Sequence, residues 1–203
     1  MDRRKARTIQ HRVMAYMALA LGVGQLLLAL VSWILTAAMP VRFVHSLLSA
    51  EGIRWFMGRF VDNMQSPLLV WLVLVIIAMG TLQRSGLLQY RNSEYRQRIA
   101  LRFAVAVAVL CVLVMLALTV VPHAILLNVM GHLYPSSFSQ SLVPYCCLSL
   151  VMVSLSYGVM TGRIHGVVAV YEAMVYGIRH AGGLLFFYVL AMQLYCSVVF
   201  LLQ

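Results

Sequence analysis

The chain has 203 residues, 63% of them hydrophobic and 10% charged, with a formal net charge of +10 at pH 7. A charged fraction so far below the about 25% of ordinary soluble domains excludes a water-soluble globule and leaves an all-α integral membrane protein. The positive charge lies in short segments beside apolar runs and forms no folded basic module, which excludes nucleic acid as a partner.

The basic start Arg3, Arg4, Lys5, Arg7 and Arg12 leads into an apolar run, Met14–Met39. That run is too long for a secretory leader and is followed by no small-residue cleavage site, so it is read as a first span that stays in the bilayer. About 20 apolar residues in a helix cross a hydrocarbon core roughly 30 Å thick. Four further stretches are read as spans on that basis: Pro67–Leu82, Phe103–Pro122, Leu142–Met160 and Leu184–Leu202. The second is the shortest and relies on Pro67 to open its helix at the interface. None of the five carries a carboxylate, a lysine or a histidine in its middle.

Between the first two spans, His45–Met64 is too polar to cross a membrane and too apolar to lie free in water. Ile53, Phe56, Met57 and Phe60 recur at helical spacing while Arg54, Arg59 and Asp62 point elsewhere, and Ser49 is placed to cap the start. These features predict a short amphipathic helix at the interface, anchored by Trp55 among the lipid headgroups. A second such helix is predicted over Val167–His180, with Val168, Tyr171, Val175 and Ile178 at three- and four-residue steps, followed by a turn at Gly182-Gly183 into the fifth span. Span, interfacial helix and span thus occur twice in opposite directions, the pattern of an inverted repeat. The expected organisation is a single membrane domain over residues 1–203. It comprises a first half at 1–82, a basic cytoplasmic loop at 83–102, and the third span with the second half at 103–203. An uncharged stretch broken by Gly131 and Pro135, His123–Gln140, follows the third span.

Orientation follows from the basic residues, which are retained in cytoplasmic loops. With the N-terminus inside, twelve of the fifteen fall on the cytoplasmic side, and only Arg42, Arg54 and Arg59 fall outside. The expected location is the bacterial inner membrane, with the N-terminus cytoplasmic and the C-terminus outside.

Enzymatic templates are missing. The five acidic residues Asp2, Glu51, Asp62, Glu94 and Glu172 are scattered, and no H-E-x-x-H, G-x-S-x-G or phosphate-cradling loop occurs. His45, His123, His132, His165 and His180 fall in loops or at span ends, where solvated histidine is the simpler reading. Cys111, Cys146, Cys147 and Cys196 lie within spans without C-x-x-C or Cys/His ligand spacing, so neither a metal nor another cofactor is expected. Small residues are more informative, because close backbone approach is a principal source of helix association in lipid. Ser154, Gly158 and Gly162 recur every four residues on the fourth span, Ala104 and Ala108 on the third, and Ala18 and Gly22 on the first. Internal packing and dimerisation fit that pattern equally. Buried polar groups are sparse, namely Gln25, Ser32, Ser149, Ser154, Ser156 and Gln193; interhelical hydrogen bonding explains them, and Gln193 is also a potential solute contact.

Several stretches resemble signature segments of the p-aminobenzoyl-glutamate transporter (AbgT) family and occur in that family's order. They are Leu47-Leu-Ser-Ala-Glu-Gly-Ile-Arg-Trp55, Gln83-Arg-Ser-Gly-Leu87, Ser156-Tyr-Gly158 with Thr161-Gly-Arg-Ile164, and Leu190-Ala-Met-Gln-Leu194. The resemblance implies two re-entrant hairpins with flanking spans, one after Gln83–Leu87 and one after Gln193, and this sequence shows neither. Because the family's substrate and ion contacts belong to those parts, it carries no binding residue over to this chain. What it implies instead is the dimerising framework of the transporter. Three readings result: a homodimeric scaffold for a separately encoded transport subunit; a minimal carrier or exporter of small aromatic or amphipathic solutes, with Gln193 and Tyr157 near the path; and an inactive remnant.

Overall fold

The computed structural model describes residues 3–39, 45–89, 95–120 and 137–202. Among them every regular element is a helix: α1 (Arg3–Ala38), α2 (Ala50–Gly58), α3 (Phe60–Met64), α4 (Pro67–Ser85), a 3-10 turn at Leu87–Gln89, α5 (Tyr95–Val120), α6 (Ser137–Thr161) and α7 (Gly166–Leu202). Five segments are long and apolar enough to cross a membrane: Arg12–Ala38, Pro67–Ser85, Tyr95–Thr119, Ser141–Thr161 and Gly166–Leu202. An all-helical membrane architecture is what a bilayer demands, since every backbone N–H and C=O must find its partner inside the segment that crosses.

Three boundaries differ from the sequence expectation. Residues 83–102 do not form one loop: Gln83, Arg84 and Ser85 end α4, and Tyr95–Arg102 form the first two turns of α5. Arginine at a span end keeps its guanidinium in water while its stem lies along apolar surface, so Arg96, Arg98 and Arg102 do not oblige the helix to start later. Secondly, Val167–His180 is not a separate interfacial helix. It continues through Gly182-Gly183 into the last span as one helix of 37 residues, about 55 Å long at 1.5 Å per residue. Glycine weakens a helix in water, but in an apolar medium breaking the helix would strand backbone groups, and continuity wins. Thirdly, the first interfacial segment is divided: Arg59, at φ −102° and ψ 13°, separates α2 from α3. The stretch expected after the third span falls largely outside the described residues, which resume with α6 at Ser137.

The chain divides into two compact units, residues 1–69 with 182–203 and residues 70–181. In the first unit α1 packs beside the final part of α7. Contacts advance together along both helices, from Met14 with Gly183 to Gly24 with Leu194 and Gln25 with Ser197, so the two run parallel. The Ser32 hydroxyl of α1 accepts the Leu47 N–H at 3.1 Å and fixes the chain just ahead of α2. Ser49 then caps α2 as its position implied, accepting the Gly52 N–H at 3.0 Å, and so satisfies one of the donors that a helix start leaves open.

The second unit contains the rest of α4, α5, α6 and the first part of α7. Ala78 of α4 packs with Cys147 and Val151 of α6, and Ala100 and Ala104 of α5 pack with Tyr157 of α6. The Tyr145 hydroxyl donates to the Cys111 carbonyl at 2.6 Å, tying α6 to α5. A close backbone approach joins α4 and α7 at Gly80 and Gly177: a Cβ at Gly177 would overlap the Ile76 carbonyl oxygen and lie 3.1 Å from the Gly80 Cα.

Candidate functional site

Gln25 is the central residue of the span Arg12–Ala38. An amide there is far from water on either side, so its hydrogen bonds must come from protein. Gln25 Nε2 donates to the Ser197 hydroxyl at 2.8 Å, and Ser197 in turn donates to the Gln193 carbonyl at 2.8 Å. Gln193 lies one turn before Ser197 on α7 and is 5% exposed. Both atoms of its side-chain amide, and Gln25 Oε1, are buried without a hydrogen-bond partner. An amide can make several hydrogen bonds, so this cluster in the first unit retains unused donor and acceptor capacity deep in the span. Gln25 and Gln193 were apparent as polar residues within spans. Ser197 was not, although the four-residue step from Gln193 to Ser197 places the two on one helix face.

The second unit has a different polar arrangement, at the turns that join its helices. Gly162, at φ +74°, ends α6 in the left-handed conformation that favours glycine. Arg96 of α5 donates from Nε to the Met160 carbonyl at 3.2 Å, and Arg163 reaches Gln89 Oε1 at 3.4 Å. A Cβ at Gly86 would strike the Arg163 guanidinium. The segments Gln83–Leu87 and Thr161–Ile164, two of the stretches that carry the family resemblance, therefore meet in space. Arg84 lies 3.7 Å from Glu172 and 5.5 Å from the Tyr176 ring centre, all of them at that end. With both ion-pair side chains about half exposed, this contact contributes little to stability. It marks a charged rim, with the apolar helix faces below it.

The small-residue positions turn inward for the most part. Ala104 and Tyr157 are each 1% exposed, and Ser154 is fully buried. Gly158 faces Ile164, with a Cβ there 2.9 Å from Cγ1 and 3.4 Å from the Ser85 Cα. Gly162 faces Arg96 and His165. Ala108 is partly exposed in an apolar groove with Cys111 and Tyr145. Gly22 differs, because a Cβ there would meet no heavy atom within 4 Å. Tyr157 belongs to the second unit and Gln193 to the first, so they do not form a common cluster within either unit. Trp55 stacks on Phe200 with ring centres 4.4 Å apart, which fixes α2 to the end of α7.

Sequence inspection also missed Thr81 and Ser85, both fully buried on α4. Each hydroxyl donates back to its own helix, to Ala78 O at 2.8 Å and to Leu82 O at 2.9 Å, so neither offers a free donor to a solute.

The family model described as the AbgT putative transporter family matches residues 89–200. No curated protein and no solved structure matches the chain. The matched region takes in α5, α6 and almost all of α7, more than half of the sequence, and with the five apolar helices it establishes that this multi-pass membrane protein belongs to the AbgT transporter family.

Proposed function

We propose that the chain is a scaffold or auxiliary subunit of a membrane transport system in the bacterial inner membrane, a homodimer that holds a separately encoded transport subunit. The observation that carries this reading is the chemistry of the interior. Among the described residues, the buried polar side chains are Ser32, Ser46, Thr81, Ser85, Ser154, Gln193 and Ser197, all of them neutral. Coupled movement of a charged solute ordinarily uses ionisable groups near the midplane, and a framework does not need them. The gathering of Arg84, Arg96 and Arg163 at one end of the second unit supports placing that end in the cytoplasm. The open side of Gly22 is a position at which a second copy can approach closely.

Mild-detergent purification from native membranes, followed by mass spectrometry, tests this. The expected result is a second polytopic subunit with ionisable residues inside its spans, and no solute flux from the purified chain alone in vesicles. Flux of aromatic carboxylates by the chain alone would remove the scaffold reading.

The unpartnered Gln193 amide favours one other reading, a minimal carrier of small aromatic or amphipathic solutes. Gln193→Leu is then expected to lower vesicle flux by about tenfold or more, the cost of a buried hydrogen bond to a solute. Unchanged flux in that variant excludes Gln193 as a contact.

A further inference from the structure

Beside the Trp55 and Phe200 stack lies an open cleft of about 500 Å³ whose lining includes His45, Glu51, Arg54 and Arg59. We propose that this cleft holds the phosphate of an anionic phospholipid, with an acyl chain of the same molecule descending along α7.

Charge is the first argument. Glu51 lies 3.6 Å from His45 Nδ1, whereas among the described residues neither Arg54 nor Arg59 has an ion-pair partner. Two permanent guanidinium charges thus face a cleft that offers one carboxylate, and guanidinium matches phosphate oxygens in both charge and planar donor geometry.

The second argument is continuity between the charged cleft and a groove that runs along the membrane-crossing helix α7. A neighbouring groove of about 230 Å³ shares Trp55, Arg59 and Phe200 with the first and continues past Tyr195, Cys196 and Val199. Those three residues belong to the membrane-crossing helix α7. Asn63 also lines the groove, and its Nδ2 is buried without a hydrogen-bond partner. That donor is suited to an ester carbonyl of a glycerolipid. A free inorganic or sugar phosphate would occupy only the charged part and leave both the groove and the Asn63 donor unused.

Position is the third. Ile53 and Met57 of α2 are 52% and 72% exposed, and apolar side chains at that spacing seat a short helix at the boundary between acyl chains and headgroups. Arg54 and Arg59 are on exposed positions of the same segment, at the depth where lipid phosphates lie. The stacked rings of Trp55 and Phe200, with His45 tilted against Phe200 at 5.2 Å, line both the cleft and the groove and join them.

Native mass spectrometry of the full chain in neutral detergent tests the assignment. The additions are phosphatidylglycerol, phosphatidylcholine of identical acyl chains, or soluble glycerol phosphate. The expected result is about tenfold stronger retention of phosphatidylglycerol than of phosphatidylcholine, as two basic groups facing one anionic headgroup imply. Arg54→Gln with Arg59→Gln abolishes that preference, the corresponding double lysine variant keeps most of it, and millimolar glycerol phosphate does not displace the lipid. Equal retention of the two lipids overturns the proposal. So does a preference that survives the double glutamine variant, and so does full displacement by glycerol phosphate, which would identify the cleft as a site for soluble anions.

Discussion

Gly177→Ala is expected to be among the most damaging single-methyl additions in this protein. The Cβ it introduces would overlap the Ile76 carbonyl oxygen, and lie 2.9 Å from the carbonyl carbon and 3.1 Å from the Gly80 Cα. All three are backbone atoms, so no side-chain rotation makes room and the helices α4 and α7 must separate. Overpacking of this type costs about 3 kcal/mol or more. In a chain of this size that is roughly 6–12 °C in the unfolding midpoint. Gly80→Ala is expected to act in the same direction, because its Cβ would meet the Gly177 backbone. Gly182→Ala on the same helix meets no atom within 4 Å, and should leave the midpoint unchanged or raise it slightly through better helix propensity. Scanning fluorimetry of the three purified variants makes the comparison. Equal midpoints for Gly177→Ala and Gly182→Ala would mean that α4 and α7 do not approach each other in this way.

Tyr157→Ala is the second large effect. The ring is 1% exposed and packs against Ala100 and Ala104, with Leu87, Leu101 and Val153 around them. Removing a buried aromatic side chain costs about 3–5 kcal/mol through lost burial and the cavity left behind. Tyr157→Phe keeps the ring and its volume, and is expected to cost no more than about 1.5 kcal/mol. The pair separates two roles for this residue. If Tyr157 supports the packing of α5 on α6, the alanine variant unfolds at a lower temperature. If it contacts a solute instead, the alanine variant keeps the parent midpoint and loses binding. Chemical unfolding followed by tryptophan emission, alongside solute binding, distinguishes the two.

Much of the helical order could be read from the sequence because a bilayer makes local composition decisive. An apolar run such as Leu142–Met160 has few other stable conformations available, and Ser49 caps α2 where its position implied. Helix ends were less legible. The arginines near the start of α5 suggested a loop, and only the long apolar stem of arginine, which lets charge and helix coexist, explains why Tyr95 already begins the span. Glycine was read in two opposite senses with unequal success. Gly162, read as a packing residue on the fourth span, turns the chain at φ +74°, whereas Gly182-Gly183, read as a turn, lies inside a continuous helix; composition alone does not separate a hinge from a contact or from an uninterrupted helix. Long-range pairing was least accessible. Gly80 and Gly177 each look unremarkable in their own segments, and their significance arises only when two helices approach. Likewise, nothing local to Gln25 indicates that its partner is Ser197, 172 positions away.

That separation bears on the order of events during synthesis. The second unit is contiguous, residues 70–181, and all of its parts are in the membrane once the start of α7 has been made. The first unit is interrupted: residues 1–69 are made before the second unit and residues 182–203 after it. Through all the intervening elongation α1 is without its α7 neighbour, and the Gln25 amide, at mid-bilayer, is without the Ser197 hydroxyl to which it donates. The usual sequence, in which an N-terminal unit closes before the next emerges, is therefore unavailable here. The α1 span must wait, with a polar side chain uncommitted, until the end of α7 has been made.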